Sequence, residues 1–185
     1  MKSKAKKLAG IFLLLQAGLT KTCAARSGGI VSMWLANASD VSSFTLNAST
    51  GEYSAVTMES GKVFYKFDFK QDSGQWKDDG KSTNGAFSVE HMVETAWEGH
   101  SQTERNRAQD IANASTCGMI GIILDGNGAK WVLGYNEKFG KERPLKLDTQ
   151  SVDTGKAFTD ANGSVVVLKS MDNEYSRTFT GTVPV

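Results

Sequence analysis

The chain has 185 residues, 39% of them apolar, which is enough for one domain with a hydrophobic core and a short additional segment. Its formal net charge of +1 excludes the strongly basic field by which proteins hold nucleic acid, and also the acidic composition of a disordered chain. Glycine is abundant, at 19 residues, and proline is scarce, at 2, which is typical of many short strands joined by tight turns.

The first 28 residues have two interpretations. Lysines at positions 2, 4, 6 and 7 precede a short apolar run, 9–19, which is too short to span a bilayer as a helix but resembles the start of a secretory signal. In that case cleavage near Ala24 or Ala25 would release an exported protein. Alternatively, the apolar residues form one face of an amphipathic helix. These residues are Leu8, Ile11, Phe12, Leu15 and Leu19.

We predict the second interpretation, with residues 1–28 as a retained N-terminal helical arm and residues 29–185 as a β-domain. Gly28-Gly29 would end the arm. A helix of this length is marginal in water on its own, so its apolar face needs a covering surface. A neighbouring copy of the chain would supply it, which makes the apolar residues of the arm candidate contacts between subunits.

The first half of the β-domain predicts short strands at 30–36 and 41–46, followed by a turn-rich stretch at 49–61. Residues 62–70 alternate between apolar and charged side chains, which predicts an amphipathic strand with Val63, Tyr65, Phe67 and Phe69 on its buried face. A second alternation, from Phe87 to Trp97, includes His91 on its apolar side, as a packed or interface histidine. Together, residues 62–98 predict a large hairpin with a long tip.

The tip of that hairpin, residues 71–85, is predicted to be a long polar loop with Trp76 at its centre. Simple hairpin loops have two to five residues, so a loop of this length suggests an assembly element. We expect Trp76 to be poorly packed in an isolated subunit and buried against a neighbour; the alternative is a mobile surface loop with Trp76 folded back on its own sheet. Asp78 and Asp79 lie in the same segment and are candidate partners for the lysines of the arm, which otherwise remain solvated.

The second half predicts one helix, at 101–115, because Ser101 and Glu104 form a capping box. The predicted strands that follow are 117–124, 129–135, 145–153, 156–160, 164–170 and 177–183, with turns at 125–128 and at Asn162-Gly163. In total we expect about nine strands and two helices, arranged as an antiparallel sandwich or barrel. The predicted core comprises Trp34, Phe67, Phe69, Phe87, Val89, Ile120, Ile122, Trp131, Val166 and Phe179.

No sequence motif for catalysis or cofactor binding is present, so we expect no enzyme activity, no catalytic residues, no cofactor and no metal site. Clusters of Asp and Asn, such as Asp125 and Asn127, resemble calcium ligands only faintly and fit hairpin turns better. The two cysteines, Cys23 and Cys117, lie beside apolar stretches and are expected to be small buried hydrophobic residues, with a disulfide between them the less favoured alternative.

The order of these features resembles structural proteins of tailed-phage virions, particularly phages of Bacteroidetes. The similar segments are WLANASDV (34–41), GEYSAVTMESGKVFYKFDFKQD (51–72), CGMIGIILDGNGAKWVLGYNEKFGKERPLKL (117–147) and GKAFTDANGSVVVL (155–168), together with the arm and the closing RTFTGTV (177–183). The similarity is one of overall pattern over most of the chain, without a diagnostic motif.

Within that class the chain most resembles a tail tube (major tail) subunit. The resemblance implies a homo-oligomer of six-membered rings that stack in the virion tail, contacts with other virion proteins, and DNA only as non-specific passing cargo, with no membrane. A neck, baseplate or short-tail ring protein is the alternative within a virion. The Lys-rich apolar N-terminus departs from the pattern and leaves an exported bacterial β-sandwich surface or binding protein as the rival.

Overall fold

The computed structural model describes residues 26–70, 72–99, 101–154, 156 and 162–185. The described chain forms eleven strands, one α-helix and a short 3-10 turn at Ala38–Asp40. The elements are β1 (Ile30–Asn37), β2 (Val41–Asn47), β3 (Glu52–Met58), β4 (Tyr65–Phe67), β5 (Gln75–Thr83), β6 (Ala86–Glu98), α1 (Gln102–Ala114), β7 (Met119–Asp125), β8 (Lys130–Leu133), β9 (Lys146–Asp153), β10 (Gly163–Asp172) and β11 (Arg177–Thr178). The predicted mainly antiparallel β architecture with one flanking helix is confirmed. The predicted arm helix lies outside the described residues.

The strands form three layers. A five-stranded sheet, in the order β11-β8-β7-β1-β4, lies in the middle. One of its faces packs against a four-stranded sheet, in the order β5-β6-β10-β9, and the other packs against the β2–β3 hairpin. The central sheet therefore separates two apolar clusters, and the protein is a sandwich with an additional hairpin layer.

Strand β7 shows why the middle layer forms where it does. Its side chains alternate between the two clusters: Met119 and Ile123 face the four-stranded sheet, while Ile120 and Ile122 face the β2–β3 hairpin. All four are 2% exposed or less. A strand that is buried on both faces needs a continuous apolar run, and MIGIIL supplies it.

The segment predicted as a polar loop, 71–85, is instead largely strand, so that prediction is wrong. Every residue of β5 pairs with a residue of β6, from Gln75 opposite Glu94 to Thr83 opposite Ala86. Asn84 and Gly85 form the turn, with φ of 52° and 78°, the left-handed conformation that a two-residue hairpin requires. The hairpin is thus 75–98 with a tight tip, and the polar composition of β5 reflects its place at a sheet edge.

The amphipathic strand predicted at 62–70 is also wrong over most of its length. Only Tyr65–Phe67 is a strand, and its burial is the reverse of the prediction at two positions, because Phe64 is buried and Tyr65 is exposed. The N–H of Phe64 donates to the carbonyl oxygen of Pro184 at 2.8 Å, and its ring enters the cluster beneath the β2–β3 hairpin. Contact with the distant C-terminus, which local periodicity does not report, sets the direction of this side chain.

One further strand prediction needs correction. The stretch 49–61, expected to be turn-rich, contains strand β3 between its two predicted turns at Gly51 and Gly61. The strand predicted at 156–160 lies outside the described residues, apart from Lys156.

Half of the predicted core is fully buried, namely Val89, Ile120, Ile122, Val166 and Phe179. Four more residues are partly buried and pack on the edges of the two clusters: Trp34, Phe67, Phe69 and Trp131. Phe87 is 45% exposed, so its assignment to the core is wrong. It lies one residue from the start of β6, and the ring of Tyr175 packs against it with centroids 5.7 Å apart.

Candidate functional site

The four-stranded sheet has an outermost strand on each side, and these two edges form the candidate functional site. Among the described residues, β5 has only β6 as a neighbour and β9 has only β10. An edge strand presents backbone N–H and C=O groups that can pair with another chain. β5 has nine residues and β9 has eight, so each edge is long enough to hold a full strand of a partner.

One hydrogen bond fixes the direction of the backbone groups. The carbonyl oxygen of Ala96 on β6 accepts from the N–H of Lys70 at 2.8 Å, on the side of β6 where β5 lies. Successive residues of a strand direct their backbone groups to opposite sides. The registers of β5, β6, β10 and β9 therefore determine which residues of the two outermost strands direct their N–H and C=O groups outward. The outward-facing groups belong to Trp76, Asp78, Gly80 and Ser82 on β5, and to Gln150 and Val152 on β9.

Among the described residues, the edge of β9 is open only at Gln150 and Val152. Near its start, the N–H of Leu147 donates to the hydroxyl oxygen of Ser115, just after helix α1, at 2.7 Å. The outward direction of this N–H agrees with the register argument, because Leu147 lies opposite Leu168, whose own groups face β6. The accessible part of the edge therefore centres on Gln150 and Val152.

The face of the four-stranded sheet that points away from the core carries ion pairs between lysines and carboxylates. Lys169 on β10 lies 3.2 Å from Asp148 and 3.8 Å from Glu90, and Lys77 lies 2.6 Å from Asp79. Asp79, a predicted contact residue, is accessible on this face. Since the lysines are matched by carboxylates, the face has no surplus of positive charge to retain a polyanion.

Asp78, the neighbouring predicted contact residue, lies on the opposite face and is not accessible. Its carboxylate accepts from Nε1 of Trp76 at 3.0 Å and from both the N–H and the hydroxyl of Ser176, at 2.9 and 3.1 Å. Nδ1 of His91 lies 2.6 Å from the same carboxylate. Its side chain is 10% exposed and already has these donors, which leaves it little surface for the predicted pairing with the lysines of the arm.

The Asp78, His91 and Ser176 cluster lacks the geometry of a catalytic triad. In a triad, histidine bridges the acid and the nucleophile through its two different ring nitrogens. Here Ser176 Oγ lies 3.1 Å from His91 Nδ1, the same nitrogen that contacts Asp78. The cluster instead ties the β10–β11 connection, which includes Ser176, to the buried face of β5 and β6.

Burial disfavours ionisation of Asp78, but the hydrogen bonds from His91 and Ser176 outweigh it and hold the pKa of this carboxyl below its ordinary value. A lowered pKa in the folded state stabilises the protein above the unfolded pKa of about 3.9, and this contribution disappears as the pH falls through the folded pKa. We therefore expect the melting-temperature difference between wild type and Asp78→Asn to shrink on acidification, measured by thermal melts. Parallel curves would show that Asp78 is not ionised in the folded state.

Trp76 is packed within its own subunit, contrary to the prediction. Its ring lies 4.7 Å from that of Trp131 on β8, and it packs against the core cluster between the two sheets. Since β5 is an edge strand, Trp76 closes the side of the sandwich there. The accessible feature of β5 is therefore its backbone edge rather than this side chain.

The remaining candidates are settled only in part. The arm residues Leu8, Ile11, Phe12, Leu15 and Leu19, as well as Cys23, lie outside the described residues. Cys117 is exposed, so the expectation that it is buried is wrong.

The described residues contain no group of three potential metal ligands. Asp125 accepts from the N–H groups of Asn127 and Ala129, at 2.9 and 2.8 Å, which is turn chemistry.

Comparisons with known proteins found no matching family model, no matching curated protein and no matching solved structure. Among the described residues, no helix is long and apolar enough to cross a membrane.

Proposed function

We propose that this chain is a structural protein that assembles with copies of itself by pairing β5 of one copy with β9 of the next. The observation that carries the proposal is the pair of open edges on the four-stranded sheet. Because the two edges differ, the contact is heterologous, and it closes into a ring if the rotation between copies allows. In such a ring the four-stranded sheets continue into one another as a barrel, so neither β5 nor β9 remains an exposed edge.

The resemblance noted in the sequence supports a position for this ring in the tail tube of a tailed phage, with six copies per ring and rings that stack. The outward face of the four-stranded sheet would line the channel. Its paired charges support this role, because a channel for passing DNA must not bind phosphate groups tightly. The protein would thus form the wall of the channel and would catalyse no reaction.

Proline substitutions at outward-facing positions test the edge pairing. In Gln150→Pro the outward N–H of β9 is lost, while the hydrogen bonds to β10 are retained, so we expect a folded chain that no longer forms rings. Gln150→Ala keeps the N–H and is the matched control that should assemble like wild type. Sedimentation velocity and negative-stain electron microscopy measure the assembly state, and thermal melts monitor the fold.

Ser82→Pro makes the same test on the β5 edge, where Ser82 is exposed and faces outward. A heterologous contact requires both edges, so either proline alone should prevent assembly. Rings from Gln150→Pro would overturn the proposal. Loss of assembly with only one of the two prolines would instead indicate a two-fold contact between identical edges.

A further inference from the structure

An open groove of about 630 Å³ lies between helix α1 and the end of the five-stranded sheet formed by β1 and β4. Its floor is apolar, with Leu35 from β1, Phe67 from β4 and Ile111 from α1. Trp97 adds a second aromatic wall, with its ring 6.3 Å from that of Phe67. The exposed ring of Tyr65 lies at the mouth. Apolar grooves of this kind typically accept the apolar face of an amphipathic helix.

The wall of the groove is held firmly in place. Ser101 and Glu104 form a reciprocal capping box at the start of α1, with the Glu104 carboxylate accepting from the N–H of Ser101 at 2.5 Å. Ala108 and Ile111 are buried and fix the helix against the sheets. The groove is therefore a preformed surface, which reduces the entropic cost of binding a partner.

We propose that this groove binds residues 8–19 of a neighbouring copy, an inference that rests on the assembly proposed above. The segment has the required apolar stripe, and as a helix its 12 residues would extend about 18 Å, against about 20 Å for the 13 residues of α1. The rim of the groove has one more carboxylate than cations, with Asp68, Glu104 and Asp110 against Lys66 and Arg107. This excess suits the lysines that precede the stripe.

The groove of a subunit lies far from the point where its own arm would join the domain. Ser27 is tied to the β7–β8 turn, because its N–H donates to Oδ1 of Asn127 at 2.9 Å. β1 then runs from Ile30, beside that turn, toward Leu35 at the groove. The eight steps from Ser27 to Leu35 cover about 26 Å, which is close to the full reach of residues 20–26, at most about 25 Å.

A subunit therefore has Ser27, the point where the arm would begin, at one end of the sandwich and its groove at the other. Head-to-tail stacking brings the arm of one copy to the groove of the next, and the same contact repeats along the stack. The edges of the four-stranded sheet make the contacts within a ring, while the arm and groove join one ring to another. The two contacts use separate surfaces and can be disrupted separately.

Photocrosslinking of the full chain tests the occupant directly. p-Benzoylphenylalanine replaces Phe12 in unlabelled protein, which is co-assembled with ¹⁵N-labelled wild type before illumination and peptide mapping. We expect crosslinks from position 12 to α1 and β4 peptides of the labelled copy. Crosslinks confined to the same chain, crosslinks to other surfaces, or no crosslinks would each overturn the proposal.

A charge placed on either side of the contact supplies the second test. Phe12→Asp or Tyr65→Asp should reduce stacking more than about tenfold, because an unpaired carboxylate would enter an apolar site. Rings of unchanged diameter should remain, since neither residue lies on β5 or β9. Thr57→Asp, an exposed residue on β3 remote from the groove, is the control. Normal stacking of Phe12→Asp and Tyr65→Asp would refute the arm contact and leave the ring proposal standing, whereas a wild type without rings would refute both.

Discussion

Phe179→Ala is expected to lower the free energy of unfolding by about 3–5 kcal/mol, the usual cost of removing a large aromatic side chain from a core. Phe179 is 2% exposed and packs edge-on against Phe44, with ring centroids 5.9 Å apart. It also contributes to the cluster that attaches the β2–β3 hairpin to the central sheet. The vacated space has walls from two layers, which limits how far the surroundings can collapse.

Phe87→Ala is the matched control, since it removes the same side chain from a position that is 45% exposed. We expect a change of less than about 1 kcal/mol there, as for most surface substitutions. Chemical denaturation at neutral pH measures both variants. Equal losses for the two phenylalanines would contradict the layer arrangement, in which only Phe179 lies between the sheet and the hairpin.

Asp78→Ala is expected to cost about 3–5 kcal/mol, because the change leaves a buried hydrogen-bonded cluster without its shared acceptor. His91, Trp76 and Ser176 would each lose a partner, and His91 is only 3% exposed. The connection that includes Ser176 would also lose its attachment to β5. Denaturant-induced unfolding, with tryptophan fluorescence as the probe, reports the loss.

Asp79→Ala provides the comparison, since it deletes an adjacent carboxylate that makes a surface ion pair with Lys77. Exposed pairs of this kind contribute about 0–1 kcal/mol. Similar effects of the two alanine substitutions would mean that Asp78 is not the buried member of the pair. The sequence alone could not distinguish these two residues, and both were expected to contact a neighbour.

The strands that could be predicted are those whose burial is visible in the apolar pattern of their own sequence. β6 lies between two strands with one face on the core, so its alternation appears directly in the sequence, with Val89, His91, Val93 and Thr95 buried. β7 is buried on both faces and appears as an apolar run. The capping box at Ser101 likewise depends only on local residues and was predicted correctly.

The sequence did not indicate β5, the strand on which the proposed assembly most depends. β5 reads as a polar loop because its outward face is solvated and it lies at an edge, so few of its residues need to be apolar. Asn84-Gly85 was the available signal, since this pair is typical of a two-residue hairpin turn. The contact of Ser176 with Asp78 spans 98 positions and left no trace in local patterns.

Backbone amide hydrogen exchange, compared between concentrated and diluted protein, tests the pairing of β5 with β9 most directly. On assembly, peptides covering 75–83 and 146–153 should gain protection, because their outward N–H groups acquire partners. Peptides from β6 should exchange alike in both states, since β6 already pairs on both sides. Unchanged exchange at both edges in the assembled protein, or a chain that stays monomeric at every concentration, would contradict the account.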